Sequence, residues 1–155
     1  LSFEKKSNQL LETMQENKKL ARVVASFLIK FNKELFWDNI EQFEVMNLID
    51  LLWYLDFDDI NWEIVNNNTL FEDMYTAKGY INKSQKSTNF ELNVLIALKN
   101  STTPTELDLN FEFICEKCKK TPPIYESRCP HCEDTLSFIV EPKLGKATLS
   151  LASLL

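Results

Sequence analysis

Two glycines in 155 residues are too few for a fold built from many tight turns. Glycine supplies left-handed backbone at least cost, so their scarcity argues against a turn-rich all-β chain and for helices joined by short capped turns. No apolar run approaches the about 18 residues needed to cross a bilayer. Leu1 in place of methionine predicts a trimmed or processed piece, and any membrane attachment would come through a segment not in this chain. Catalytic equipment is short as well: there is one histidine, no glycine-rich phosphate loop, and no cysteine outside one group of four. Basic charge is not in excess. Residues 1–110 carry 11 basic and 17 acidic groups, and residues 111–155 carry 6 of each, so neither part has the basic field that nucleic-acid binding needs. The reading is a non-enzymatic protein with no catalytic residues and no small-molecule substrate.

What is present is globular, with 45% apolar and 26% charged residues. The most informative stretch is Cys115-Glu116-Lys117-Cys118, ten residues, then Cys129-Pro130-His131-Cys132. Two residues between thiolates let each knuckle aim both sulfurs at one ion about 2.3 Å away, and the ten-residue excursion lets the second knuckle face the first. Cys115, Cys118, Cys129 and Cys132 are therefore the candidate ligands of a tetrahedral Zn²⁺, with Fe as the alternative. Two disulfides are the competing reading, but a chain so sparing of cysteine does not look like a disulfide scaffold. His131 lies between two ligands and reads as a surface residue, with a Cys₃His site as the lesser option. A closed Cys₄ cage leaves no open coordination position, so it holds structure and does not activate water. Cys115→Ser or Cys132→Ser is expected to unfold residues from about 111 to 142 and spare what precedes them.

Phe113-Ile114, the first knuckle, Thr121, Tyr125, the second knuckle, Ile139 and Pro142 together resemble the C-terminal rubredoxin-like metal domain of the lipopolysaccharide assembly protein B family. Loop length and order both match. Lys119 stands where that family usually has glycine after the first knuckle, a left-handed position costing about 1 kcal/mol for other residues. Arg128 stands where it has an aromatic, which predicts weaker packing of the knuckles on a helical neighbour. The resemblance implies a helical repeat domain before the ribbon. It also implies a regulatory role coupling a biosynthetic enzyme to a membrane protease at the cytoplasmic face of the inner membrane.

Taken in order, residues 3–35 read as one long helix or two joined end to end, with Leu10, Met14, Val24, Phe27, Leu28, Phe31 and Leu35 near helical spacing. From Glu34 to Thr76 there are eleven carboxylates and no lysine or arginine, and all three tryptophans fall there. Capping accounts for some of the acid, with Asp38 and Glu41 at one helix start and Asp58-Asp59 before another. The rest makes a one-sign field that favours a basic partner, and Glu41, Glu44, Asp58, Asp59 and Glu63 are the candidate partner-binding residues. The run from Val45 to Leu55 is apolar on nearly every side, as a central buried helix should be. Thr69 with Glu72, and Thr88 with Glu91, predict capped helices over about 70–82 and 89–99. Met74, Ala77 and Ile81 would meet Phe90, Val94 and Ala97. That hairpin resembles one degenerate tetratricopeptide unit, although no repeat of about 34 residues runs through the chain. A compact helical bundle is the alternative.

Residues 101–110 read as a linker, with Leu107–Ile114 alternating as a strand that enters the first knuckle and Leu136–Val140 as its partner. Lys117, Lys119, Lys120 and Arg128 around the knuckles read as a solvated face. The tail from 143 to 155 is mostly apolar. The expected architecture is mainly α: a helical domain over 1–100, either a bundle or tetratricopeptide-like hairpins, then a small rubredoxin-like or zinc-ribbon β lobe over 111–142. The expected function is a cytoplasmic protein-binding adaptor or scaffold, and the resemblance implies a regulator in lipopolysaccharide assembly. Alternatives are a structural part of a larger membrane-associated bacterial assembly, a rubredoxin-like electron carrier, and a nucleic-acid-binding zinc ribbon.

Overall fold

In the computed structural model, which describes residues 3–82, 87, 89–99 and 107–146, the chain is mainly helical with one small sheet. The α-helices are α1 (Phe3–Glu16), α2 (Ala21–Phe31), α3 (Lys33–Asp38), α4 (Ile49–Trp53), α5 (Trp62–Val65), α6 (Thr69–Lys78) and α7 (Phe90–Lys99). The strands β1 (Leu107–Cys115) and β2 (Phe138–Lys146) form a two-stranded antiparallel sheet. Four short 3₁₀ turns link the helices. The mainly helical chain with a small β lobe near its end is as the sequence implied. No helix among the described residues is long and apolar enough to cross a membrane.

Contacts divide the chain into two compact units, neither continuous in sequence. The first is Leu1–Leu55 with Glu112–Glu141; the second is Asp56–Phe111 with Pro142–Leu155. In the first, Met14, Val24, Leu28, Phe36, Ile49, Leu52 and Trp53 are buried. In the second, Val65, Phe71, Met74, Tyr75, Leu92 and Leu109 are buried.

The expected first helix is interrupted. Asn17 ends α1 and accepts the amide of Lys19 with its side chain, and Asn32 does the same for Leu35 at the start of α3. Asparagine side chains compete for backbone amides and favour caps over helix interiors, so the chain bends at each. Asparagine also replaces the expected Thr and Asp caps elsewhere. Asn61 caps α5 and Asn68 caps α6, one residue ahead of Thr69. Asn89 accepts the amide of Leu92 at the start of α7, while Thr88 lies outside the described residues. Asp38 is the last residue of α3 and does not cap the turn that follows, and Asp58 and Asp59 lie inside a 3₁₀ turn.

The apolar run from Val45 is a 3₁₀ turn (Val45–Leu48) leading into the five-residue α4, with Leu48, Ile49, Leu52, Trp53 and Leu55 buried but Tyr54 62% exposed. Tyr54 is the one exposed residue of the run, so it is core on nearly every side as expected, but as a turn and a short helix in place of one continuous helix. The α6–α7 hairpin forms as expected, with a different face of α7. Leu92, Leu95 and Ile96 are buried, whereas Phe90 is 69% exposed and Ala97 is exposed. The phase of α7 is fixed at its start, where the Asn93 side chain bonds both the amide and the carbonyl of Ser87. Gly79 closes α6 in the left-handed conformation (φ 94°), with its amide and that of Tyr80 bonded back to the Tyr75 carbonyl. Gly145 of β2 lies where a side chain would run into the Asn110 amide. The linker residues 101–106 and the tail beyond Lys146 lie outside the described residues.

Candidate metal centre

The two knuckles adopt the same backbone path. The amide of Lys119 bonds the Cys115 carbonyl (2.8 Å) and that of Glu133 bonds the Cys129 carbonyl (2.9 Å). Cys115 in turn donates its amide to Lys120, and Cys129 to Asp134. Closing each loop this way drives the residue after the second cysteine left-handed, with φ 63° at Lys119 and 64° at Glu133. That is the conformation expected at Lys119, held here by non-glycine residues in both knuckles. Amides of Lys117 and Cys118 point at the Cys115 sulfur, and those of His131 and Cys132 at the Cys129 sulfur.

The result is a four-thiol cluster whose sulfurs all lie within 4.8 Å of one another. Cys115 and Cys132 sulfurs are 3.6 Å apart, as are those of Cys118 and Cys129. Four thiolates at about 2.3 Å from one ion sit about 3.8 Å apart at tetrahedral angles. The cluster therefore matches a metal cage, and the cysteines are free thiols, so the disulfide alternative does not hold. Cys115 and Cys129 are buried, Cys118 and Cys132 half-buried. His131 is exposed, as are Lys117, Lys119, Lys120 and Arg128.

The environment favours negative sulfur unevenly. The Ser137 hydroxyl, 3.2 Å from the Cys115 sulfur, and the Cys118 amide lower that thiol to about 6. At Cys132 the Asp134 amide favours the thiolate, but burial and the neighbouring thiols outweigh it and push the group up to about 12. Four thiolates this close repel one another unless a cation neutralises them. Ser137 was not visible as a site residue in the sequence. Its one signal is a hydroxyl set between the apolar Leu136 and Phe138, one residue ahead of β2.

Comparison with known proteins finds no matching family model, no matching curated protein and no matching solved structure. The site's meaning therefore rests on its own geometry.

A second missed residue ties the ribbon to the helices of the first unit. Arg22, on α2, makes a two-pronged ion pair with Asp50 of α4, at 2.9 and 2.5 Å. Its guanidinium carbon also sits 4.2 Å from the ring centre of Tyr125 and 5.6 Å from that of Phe113. Tyr125 is held edge-on between Phe113 and Phe138, with centroids 5.7 and 5.9 Å away. Asp50, one of the eleven carboxylates of the acidic stretch, is thus paired inside the fold. Tyr125 supplies the aromatic contact that the sequence lacks at Arg128. The clue was present as a lone arginine on an apolar helix, Ala21-Arg22-Val23-Val24.

The candidate partner residues are divided between the units. Glu41 and Glu44 are exposed and line a cleft of about 450 Å³ in the first unit, together with Lys18, Lys19, Tyr125 and Phe138. Glu44 also accepts the Asn47 side-chain amide at 2.7 Å. Asp58 and Glu63 are exposed and Asp59 half-buried in the second unit.

Proposed function

We propose that this chain is a non-enzymatic adaptor that binds other proteins, with a structural Zn²⁺ held by Cys115, Cys118, Cys129 and Cys132. The observation that carries the reading is the closed all-cysteine cluster joined to a helical body through Arg22. Four thiolates complete the coordination of a Zn²⁺ ion, which leaves no position for water or substrate and makes the metal a source of folding energy. The acidic stretch of Glu34–Thr76 supports partners with basic surfaces. The ribbon's resemblance to lipopolysaccharide assembly protein B supports a regulatory place in that pathway, at the cytoplasmic face of the inner membrane.

Two measurements test this. Elemental analysis of the purified protein should give one Zn per chain and no visible absorption; iron with a rubredoxin-like spectrum would instead favour electron transfer. A crosslinked pull-down from the source cells should recover a defined protein, and a variant with Glu41, Glu44, Asp58, Asp59 and Glu63 neutralised should lose it. A lipid A biosynthetic enzyme or membrane protease among the recovered proteins supports the pathway. Recovery of nucleic acid alone overturns the adaptor role.

A further inference from the structure

The second unit carries an aromatic face that its own core leaves open. Phe57 is 49% exposed, Trp62 and Tyr80 are half-buried, and Tyr75 beneath them is fully buried. Ring centres lie 4.7 Å apart for Phe57 and Trp62, 5.7 Å for Phe57 and Tyr80, and 5.6 Å for Trp62 and Tyr75. The Trp62 indole donates to the Phe57 carbonyl at 3.2 Å, which fixes its orientation. Phe57 and Trp62 are tilted at 40°, and Phe57 meets Tyr80 edge to face at 82°. Asp56, Asp58, Asp59 and Glu63 are their neighbours in the chain, and both of the chain's arginines, Arg22 and Arg128, belong to the first unit. Burial and the nearby Asp56 carboxylate hold the Tyr80 phenol above its ordinary value.

We propose that the face formed by Phe57, Trp62 and Tyr80, with Asp56, Asp58, Asp59 and Glu63 beside it, docks an arginine-bearing segment of a partner protein. The inference rests on the adaptor reading and gives its partner a chemistry. A guanidinium is planar, weakly hydrated and attracted to ring faces, and its fork of N–H groups fits a carboxylate. Lysine offers the charge without the stacking. The first unit already holds an arginine in this way, where Arg22 lies over Tyr125 and grips Asp50. The second unit offers the same two ingredients. Because the rings are already packed and oriented, little side-chain freedom is lost on docking.

The test uses the metal-loaded protein and two capped hexapeptides, alternating glycine with arginine or with lysine, followed by NMR. The indole signals are assigned with Trp62→Phe. The arginine peptide should move the Trp62 indole signal saturably and leave those of the buried Trp37 and Trp53 in place. It should bind about threefold to fivefold more tightly than the lysine peptide. Phe57→Ser, at an exposed position, and the combined Asp58→Asn, Asp59→Asn and Glu63→Gln changes should each weaken binding, while Glu41→Gln with Glu44→Gln should not. Equal binding of both peptides, an unmoved Trp62 signal, or full binding by Phe57→Ser overturns the face. Arginine-peptide binding with no protein recovered from cells keeps the face and removes the adaptor role; a partner still recovered by Phe57→Ser removes the face and keeps the role.

Discussion

Replacing Arg22 by methionine keeps an apolar stem of similar length and removes the charge that α2, α4 and the ribbon share. Arg22 and Asp50 side chains are 14% and 11% exposed, so the pair is largely shielded from water. Removing one partner of a buried pair costs about 3–5 kcal/mol, because the other charge is stranded. The partial exposure puts Arg22→Met near the lower end, about 3 kcal/mol, with the lost stacking on Tyr125 included and not added. Asp50→Asn should cost less, because the guanidinium keeps its aromatic partner and a neutral acceptor. Arg22→Met combined with Asp50→Leu should recover most of the loss, since an apolar pair strands no charge. Urea unfolding of the metal-loaded proteins gives the free energies, and hydrogen exchange gives their location. Exchange should rise both in residues 3–55 and in 112–141, the two parts of the first unit. A cost below about 1 kcal/mol for Arg22→Met, or a ribbon that stays fully protected, would refute the linking role assigned to this residue.

Removing the metal with a chelator, or Cys132→Ser, should raise exchange across the whole first unit; protection lost only within 112–141 would restore the narrower outcome expected from sequence. Lys119→Gly and Glu133→Gly, at φ 63° and 64°, should each stabilise the metal-loaded ribbon, whereas Lys120→Gly should not. The gain is about 0.5–1 kcal/mol, the left-handed strain less glycine's entropy, and chemical denaturation measures it. Burial, and then the nearby Tyr80, raise the Tyr75 phenol above its ordinary 10.0, so above that pH the unfolded chain loses this proton while the folded one keeps it. Stability from this group is whole below pH 10 and falls as pH rises past it, and Tyr75→Phe should flatten that part of the alkaline stability curve.

The parts of this protein set by neighbours in sequence were legible from the chain. Knuckle spacing decides that each pair of cysteines converges, apolar periodicity decides that the body is helical, and alternation decides that β1 enters the first knuckle. The left-handed turn at Lys119, which the family resemblance implied, is held by the local closure of the loop. Boundaries were less legible. Capping-box patterns pointed to Thr69 and Asp38, yet Asn68 took the first role and no side chain the second, because cap choice depends on where the chain must bend to pack. The buried face of α7 was misread for a related reason: the bond between Asn93 and Ser87 fixes its rotation, and no periodicity reports that.

Only the tertiary structure decided which charges are buried and which are offered. In sequence Asp50 is one of eleven like-signed carboxylates, and Arg22 is a base 28 residues away. Folding brings the two into one ion pair under Tyr125, and leaves Asp58 and Glu63 exposed in the same unit as an open aromatic face. Charge sign is written in the residue; its desolvation and its partner depend on contacts between segments far apart in the chain, which composition and spacing do not encode.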